Sequence, residues 1–223
     1  MSYYPILVDL EGKKVLVIGG GRVAQRKIES ILTFGADIQV ISREMTPELR
    51  NLIDNGKIGF IGPEFNEKSL QDAFLVITAT DDPLLNHRVS EMAKRKNILV
   101  NAVDQPLDCS FIVPSVLRRG DLVIAVSSSG KSPALAKKIR KALSGQFGDE
   151  YGAFLVMMGR LREEIIPSGL SQEEKSRIFR ELVNSSIPDG IRDKKYNEIS
   201  SDLSRILGKK VSSDDVIHYL EAE

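Results

Sequence analysis

Apolar residues arrive first as a block. Val15-Leu16-Val17-Ile18 is uninterrupted, the mark of a strand buried on both faces. Gly19-Gly20-Gly21 ends it, and Ala24, Ile28, Ile31 and Leu32 then fall on one helical face. The alternation continues. A second strand is predicted at Asp37–Ile41, a helix over 45–55 starting near Thr46-Pro47, and a short third strand over 57–61. The run 74–79 is apolar almost throughout and predicts a buried fourth strand. Asp82-Pro83 opens a helix to about residue 96, and 98–103 is the fifth strand. Strand and helix alternating five times on short links is the signature of an α/β fold, a doubly wound parallel sheet of Rossmann type.

Near Pro114 the rhythm changes. Leu122–Val126 predicts one more strand, ending in Ser127-Ser128-Ser129-Gly130-Lys131-Ser132-Pro133. Ser132 suits a helix cap with Pro133 at the first position. The helix that follows sets Leu135, Ile139, Ala142 and Leu143 on one face, and Lys137, Lys138, Arg140 and Lys141 fill much of the rest. Beyond Gly148 the pattern is helical. Ser171 and Glu174 have capping-box spacing, and a last helix is predicted over 214–221. Three parts are expected: a dinucleotide-binding domain over 1–113, a segment with a basic helix over 114–147, and a helical domain over 148–223.

Composition narrows the setting. With 42% hydrophobic and 28% charged residues, the 223-residue chain has the make-up of a soluble globular protein. It has no apolar run of membrane-spanning length, and its first residues lack the basic flank and apolar core of a secretory leader. One cysteine, Cys109, leaves no internal disulfide, so a cytoplasmic location is expected. Net charge is zero but uneven. Residues 114–146 hold seven Lys/Arg against one acid, while 1–113 hold 13 against 15 and 147–223 hold 11 against 15. That middle segment attracts anions. Without an aromatic-rich basic face it points to a small polyanion, not to nucleic acid.

The candidate chemistry gathers at predicted strand ends. Gly19, Gly21 and Ala24 fill the small-residue positions of a dinucleotide fingerprint: a tight turn, close approach of a pyrophosphate, and helix–strand packing. The helix N-terminus beyond them favours phosphate. The acid that usually holds a ribose after the second strand is missing; Ser42-Arg43-Glu44 stands there, so Arg43 could favour a 2′-phosphate and Glu44 could reach a ribose. Thr78-Ala79-Thr80-Asp81-Asp82 leaves the fourth strand where such sheets bind ligands. Asp104, after the buried run 99–103, is the acid–base candidate, with apolar neighbours that could raise its pKa. His87 reads as a surface or groove histidine rather than a catalyst, and His218 has no visible partner. The two histidines and the cysteine make no standard metal spacing. The loop Ser127–Ser129 with Lys131 suits carboxylates or phosphates.

Taken in order, these stretches resemble the precorrin-2 dehydrogenase module of siroheme synthases. The matching pieces are Tyr4-Pro5-Ile6, Val17 through the glycines to Lys27, Ala79-Thr80-Asp81-Asp82-Pro83 with Asn86, Val100-Asn101-Ala102-Val103-Asp104, Ser110-Phe111-Ile112-Val113-Pro114-Ser115, and Ala125 to Pro133. The resemblance covers about residues 4–140; the last third matches only in being helical. It implies NAD-dependent oxidation of precorrin-2, a polycarboxylate tetrapyrrole, to sirohydrochlorin. Asp104 is then the functional aspartate. The cofactor residues are Gly19, Gly20, Gly21, Arg22, Val23, Ser42, Arg43, Glu44, Thr78, Ala79, Thr80, Asp81, Asn101 and Val103. Ser127, Ser128, Ser129, Lys131 and Arg118 grip substrate carboxylates. A homodimer built through the segment after Pro114 is implied, and in some relatives ferrous iron is a second substrate. No methyltransferase domain is expected, nor any dedicated metal cage. Two rivals remain: a chelatase whose nucleotide site is secondary, and a nucleotide-sensing regulatory domain, which leaves the basic segment unexplained.

Overall fold

The computed structural model describes residues 3–221. Its chain divides between Val113 and Pro114 into two compact units.

In the first unit, β1 (Lys14–Ile18), β2 (Asp37–Ile41), β3 (Gly59–Gly62), β4 (Leu75–Thr78) and β5 (Leu99–Ala102) form one sheet in the order β3-β2-β1-β4-β5, with every pairing parallel. Parallel neighbours need crossovers, and the crossovers cover both faces. Val15, Val17, Ile38, Val40, Leu75 and Ile77 pack with Ala24 and Ile28 of α1 (Arg22–Leu32) and Leu49 of α2 (Pro47–Asp54). Leu16, Ile18, Ile41, Val76 and Val100 pack on the other side with Val89 and Ala93 of α3 (Pro83–Arg95). Each apolar residue of β1 thus serves one core or the other, which is why that strand reads as a block. The order reverses between β1 and β4, and such a switch point opens a crevice at the C-terminal strand ends.

Caps set where two of the helices begin. Thr46 accepts the Leu49 N–H with Pro47 at the first position, and Asp82 accepts those of Leu84 and Leu85 ahead of Pro83. The sequence pattern needs correction in two places. The third strand is shifted, to Gly59–Gly62. The link from β3 to β4 contains a 3-10 turn, Glu67–Leu70, and not the α-helix that strict strand–helix alternation implies; Phe65, Leu70 and Ala73 fill the core there.

The second unit opens with an antiparallel ribbon, β6 (Ser115–Arg119) against β7 (Leu122–Val126), turned at Gly120 with φ +55°. β6 escapes the sequence pattern because Val116 and Leu117 are its only apolar residues and only Leu117 is buried. α4 (Pro133–Gln146) is capped by Ser132 and buries Ala136. Its apolar face is partly open: Leu135 is 50% and Ile139 40% exposed. Then α5 (Glu150–Ile165), α6 (Gln172–Val183), α7 (Ile187–Arg192), α8 (Tyr196–Leu207) and α9 (Ser213–Leu220) enclose a core that includes Phe154, Met157, Leu161, Ile178, Leu182, Leu203 and Val216. The Ser171–Glu174 capping box is present, and Ser212–Asp215 forms another. No helix among the described residues is long and apolar enough to cross a membrane.

Candidate active site

The glycine turn sits where β1 ends, between the ends of β2 and β4. Gly19 has φ +121°, and a Cβ there would collide with the Ala79 carbonyl. A Cβ on Gly20 would strike Ser42, Glu44 and Met45. The turn therefore brings Gly19 and Gly20 against Ala79 on one side and Ser42 and Glu44 on the other. Gly21 differs: it is exposed and a Cβ would meet nothing within 4 Å. It is also the N-cap of α1 and offers no side-chain cap, so the N–H groups of Arg22, Val23 and Ala24 find no acceptor among the described residues. Open space over unpaired N–H groups at the positive end of a helix fits a pyrophosphate.

Beyond β2, Ser42 hydrogen-bonds the Glu44 carbonyl. Arg43 is not a lone cation: its guanidinium meets Glu64 at 2.9 Å. Glu64 follows β3, and sequence reading missed it because its partner lies on the neighbouring strand's loop.

At the end of β4, Thr78 is wholly buried, its hydroxyl unpartnered among the described residues, so it lies beneath the crevice and not at its surface. Thr80 is half-buried and donates to the Asn86 Oδ1 at 2.8 Å, while Asn86 Nδ2 returns a bond to the Thr80 carbonyl at 2.9 Å. Asp81 is exposed.

Within β5, Asn101 is turned inward. Its Oδ1 accepts from Lys27 Nζ at 2.9 Å, and its Nδ2 donates to the Phe111 carbonyl at 3.2 Å. Burial pushes the Lys27 ammonium below its ordinary pKa of 10.5, and Arg26 adds to this, against the opposing pull of Cys109 and Asp104. Val103 is half-buried and its N–H reaches the Thr78 carbonyl at 2.9 Å. Asp104 is exposed, in the left-handed region at φ 59°. The apolar shelter expected around it is absent, because the chain turns outward at that residue; Asp tolerates that conformation better than most residues.

One cluster was not legible in the sequence. Asp108 is buried, and its carboxylate meets His87 Nδ1 at 2.7 Å, on the first turns of α3. Gln105 Nε2 donates to the Pro83 carbonyl at 3.1 Å, and Lys94 Nζ to the Leu107 carbonyl at 3.0 Å. Positions 83, 87 and 94 share a face of α3, so the 104–109 turn lies along that helix. A pair 21 residues apart has no sequence signature.

In the second unit, Ser127 Oγ accepts the Ser129 N–H at 3.0 Å and Ser128 Oγ the Ser132 N–H at 2.9 Å, with Ser129 at φ 53°. Each hydroxyl keeps its own hydrogen to donate to an anion. Lys131 is exposed, and the exposed Arg118 bonds the Gly120 carbonyl through Nε at 3.1 Å. No group of three or more His, Cys, Asp or Glu able to hold a metal occurs among the described residues.

The chain is similar to known proteins over most of its length. Residues 6–115 match a family described as "Putative NAD(P)-binding", and 119–146 match one described as sirohaem biosynthesis protein central. The siroheme synthase of Actinobacillus succinogenes is 35% identical over 94% of this chain and 44% of its own. That of Photorhabdus laumondii is 39% identical over 82% of this chain and 39% of its own. The chain thus spans less than half the length of these relatives. A solved structure titled SirC, precorrin-2 dehydrogenase, aligns with 92% of this chain and 100% of its own, at 26% identity and a TM-score of 0.75. With its glycine turn inside the NAD(P)-binding match and β7 and α4 inside the sirohaem match, the chain belongs to the siroheme synthase and precorrin-2 dehydrogenase family.

Proposed function

We propose that the chain is an NAD-dependent dehydrogenase that oxidises precorrin-2 to sirohydrochlorin in siroheme formation. The observation that carries this reading is the open glycine turn, with three unpaired N–H groups, in a chain alike to SirC over all of that structure's length. Arg22 and Val23 hold the pyrophosphate through their backbone. The Ala79–Asp81 loop, packed on Gly19 and braced by Asn86, lines the nicotinamide side. A bound nicotinamide supplies a hydride acceptor. Asp104, exposed beyond β5, takes the proton that the macrocycle must also lose. Ser127, Ser128, Ser129, Lys131 and Arg118 bind peripheral carboxylates.

NAD is preferred to NADP in this reading, because Glu64 offsets the Arg43 charge that a 2′-phosphate would need. Glu64→Gln is expected to shift the NAD/NADP preference about tenfold towards NADP, read as the ratio of kcat/KM values. The working form is a homodimer. A two-stranded ribbon is marginal alone, and Val116, Leu135 and Ile139 are uncovered beside it. Ferrous iron is a second substrate if the family's chelatase activity is also present.

The test is incubation of the purified chain with precorrin-2 and NAD, following NADH and sirohydrochlorin by absorbance. Stoichiometric appearance of both is expected. Metal insertion without any NADH formation would replace this reading by the chelatase one, and nucleotide binding without turnover by the sensor one.

A further inference from the structure

The buried carboxylate of Asp108 has no described hydrogen-bond partner except His87. An ionised carboxylate accepts only, so His87 Nδ1 carries the hydrogen between them. The neutral ring then holds its lone pair on Nε2. That nitrogen has no partner among the described residues, and 58% of the side chain is open to solvent. An imidazole oriented by a buried carboxylate, with its outer nitrogen free, is how proteins build a base. Its place matters as much as its make-up. Asp104 opens the turn that Asp108 sits in, and Gln105 and Leu107 clamp that turn to the helix bearing His87. The preceding residue, Asn86, braces the Thr80 loop. One turn of helix thus faces both loops at the crevice.

We propose that His87, backed by Asp108, is the base that carries the reaction's proton from Asp104 to solvent. This rests on the dehydrogenase reading above. In each oxidation two electrons and one hydrogen leave a macrocycle carbon as hydride, and NAD becomes NADH. The remaining proton passes from the macrocycle to the Asp104 carboxylate. It goes on, through water, to His87 Nε2 and from there to bulk solvent, which returns both groups to their starting state. Asp108 is a positioning residue: it fixes the tautomer and stabilises the imidazolium formed in passing.

The test compares the full-length wild type with His87→Ala, His87→Gln and Asp108→Asn, using precorrin-2 and NAD, with and without added imidazole. His87→Ala is expected to lower kcat about tenfold with both KM values held, and imidazole to restore most of it. Asp108→Asn should fall in the same direction by less. His87→Gln keeps a donor for Asp108 and therefore the local fold, yet moves no proton, so it should match His87→Ala. A His87→Gln enzyme as fast as wild type would reduce the pair to a brace and overturn the relay. So would a loss in His87→Ala that imidazole leaves untouched. A wild type that makes no NADH from precorrin-2 would instead remove the dehydrogenase reading, and the relay with it.

Discussion

The sheet of the first unit and the ribbon of the second treat apolar side chains in opposite ways. Residues 15–18 of β1 are at most 2% exposed, and every apolar position of that sheet's middle strands lies in one of two cores. In the ribbon only Leu117 is buried, and the α4 face beside it leaves Leu135 and Ile139 in the open. Both regions are rich in Val, Ile and Leu. Composition therefore does not separate them; coverage does. The sheet's middle strands have found all their partners within the chain, and only its edge strand β3 leaves apolar residues open, Phe60 and Ile61. The ribbon has not, which is the reason for expecting another copy over it.

The contrast is sharpest at Ile28, fully buried under the sheet. Ile28→Ala should cost about 2–5 kcal/mol, read from the urea midpoint. A cost below about 1 kcal/mol would mean the sheet's core is less closed than it looks. Asp104→Asn, on the same unit but exposed and suited like Asp to the left-handed φ of 59°, should leave that midpoint within about 0.5 kcal/mol. Its effect should fall on turnover, by about a hundredfold or ~2.7 kcal/mol. Unaltered turnover would remove Asp104 from the mechanism.

In the ribbon the same kind of apolar residue should behave differently. Ile139→Asp is expected to spare the folded monomer, yet weaken dimerisation at least about tenfold, or ~1.4 kcal/mol, seen by light scattering across a dilution series. A dimer that persists unchanged would show that the open face has no copy over it.

The smallest effect belongs to the helical bundle. Burial opposes the charge on Glu164, but hydrogen bonds from Lys209 at 2.8 Å and Tyr219 at 2.7 Å outweigh it and hold its carboxyl below the ordinary 4.5. The unfolded chain then binds the proton more readily, so this stabilisation is full above pH 4.5 and is lost as pH falls through the lowered folded value. Glu164→Gln should flatten that part of the stability-against-pH curve, by under about 1 kcal/mol because the side chain is nearly half exposed. An equally steep curve in the variant would assign the acid sensitivity to other carboxylates.

Local signals were legible in the sequence. The strand–glycine–helix unit, the Asp82-Pro83 and Ser132-Pro133 starts and the Ser171–Glu174 box each depend on residues a few positions apart, and the structure has them all. Features that need a distant partner were not. β6 is a strand because β7 pairs with it, Arg43 is neutralised from the next strand's loop, and His87 gains a role only when the 104–109 turn folds back along α3. The openness of the α4 face was not legible either, because amphipathicity tells which side of a helix is apolar, not whether anything covers it.

Asn86 and His87 are neighbours in the chain, yet each is bonded to a different loop, one through Thr80 and the other through Asp108. Mechanically, they make that turn of α3 a yoke to which both sides of the crevice are tied. Neither loop can leave its place by a roll of that turn without straining the hydrogen bond that holds the other.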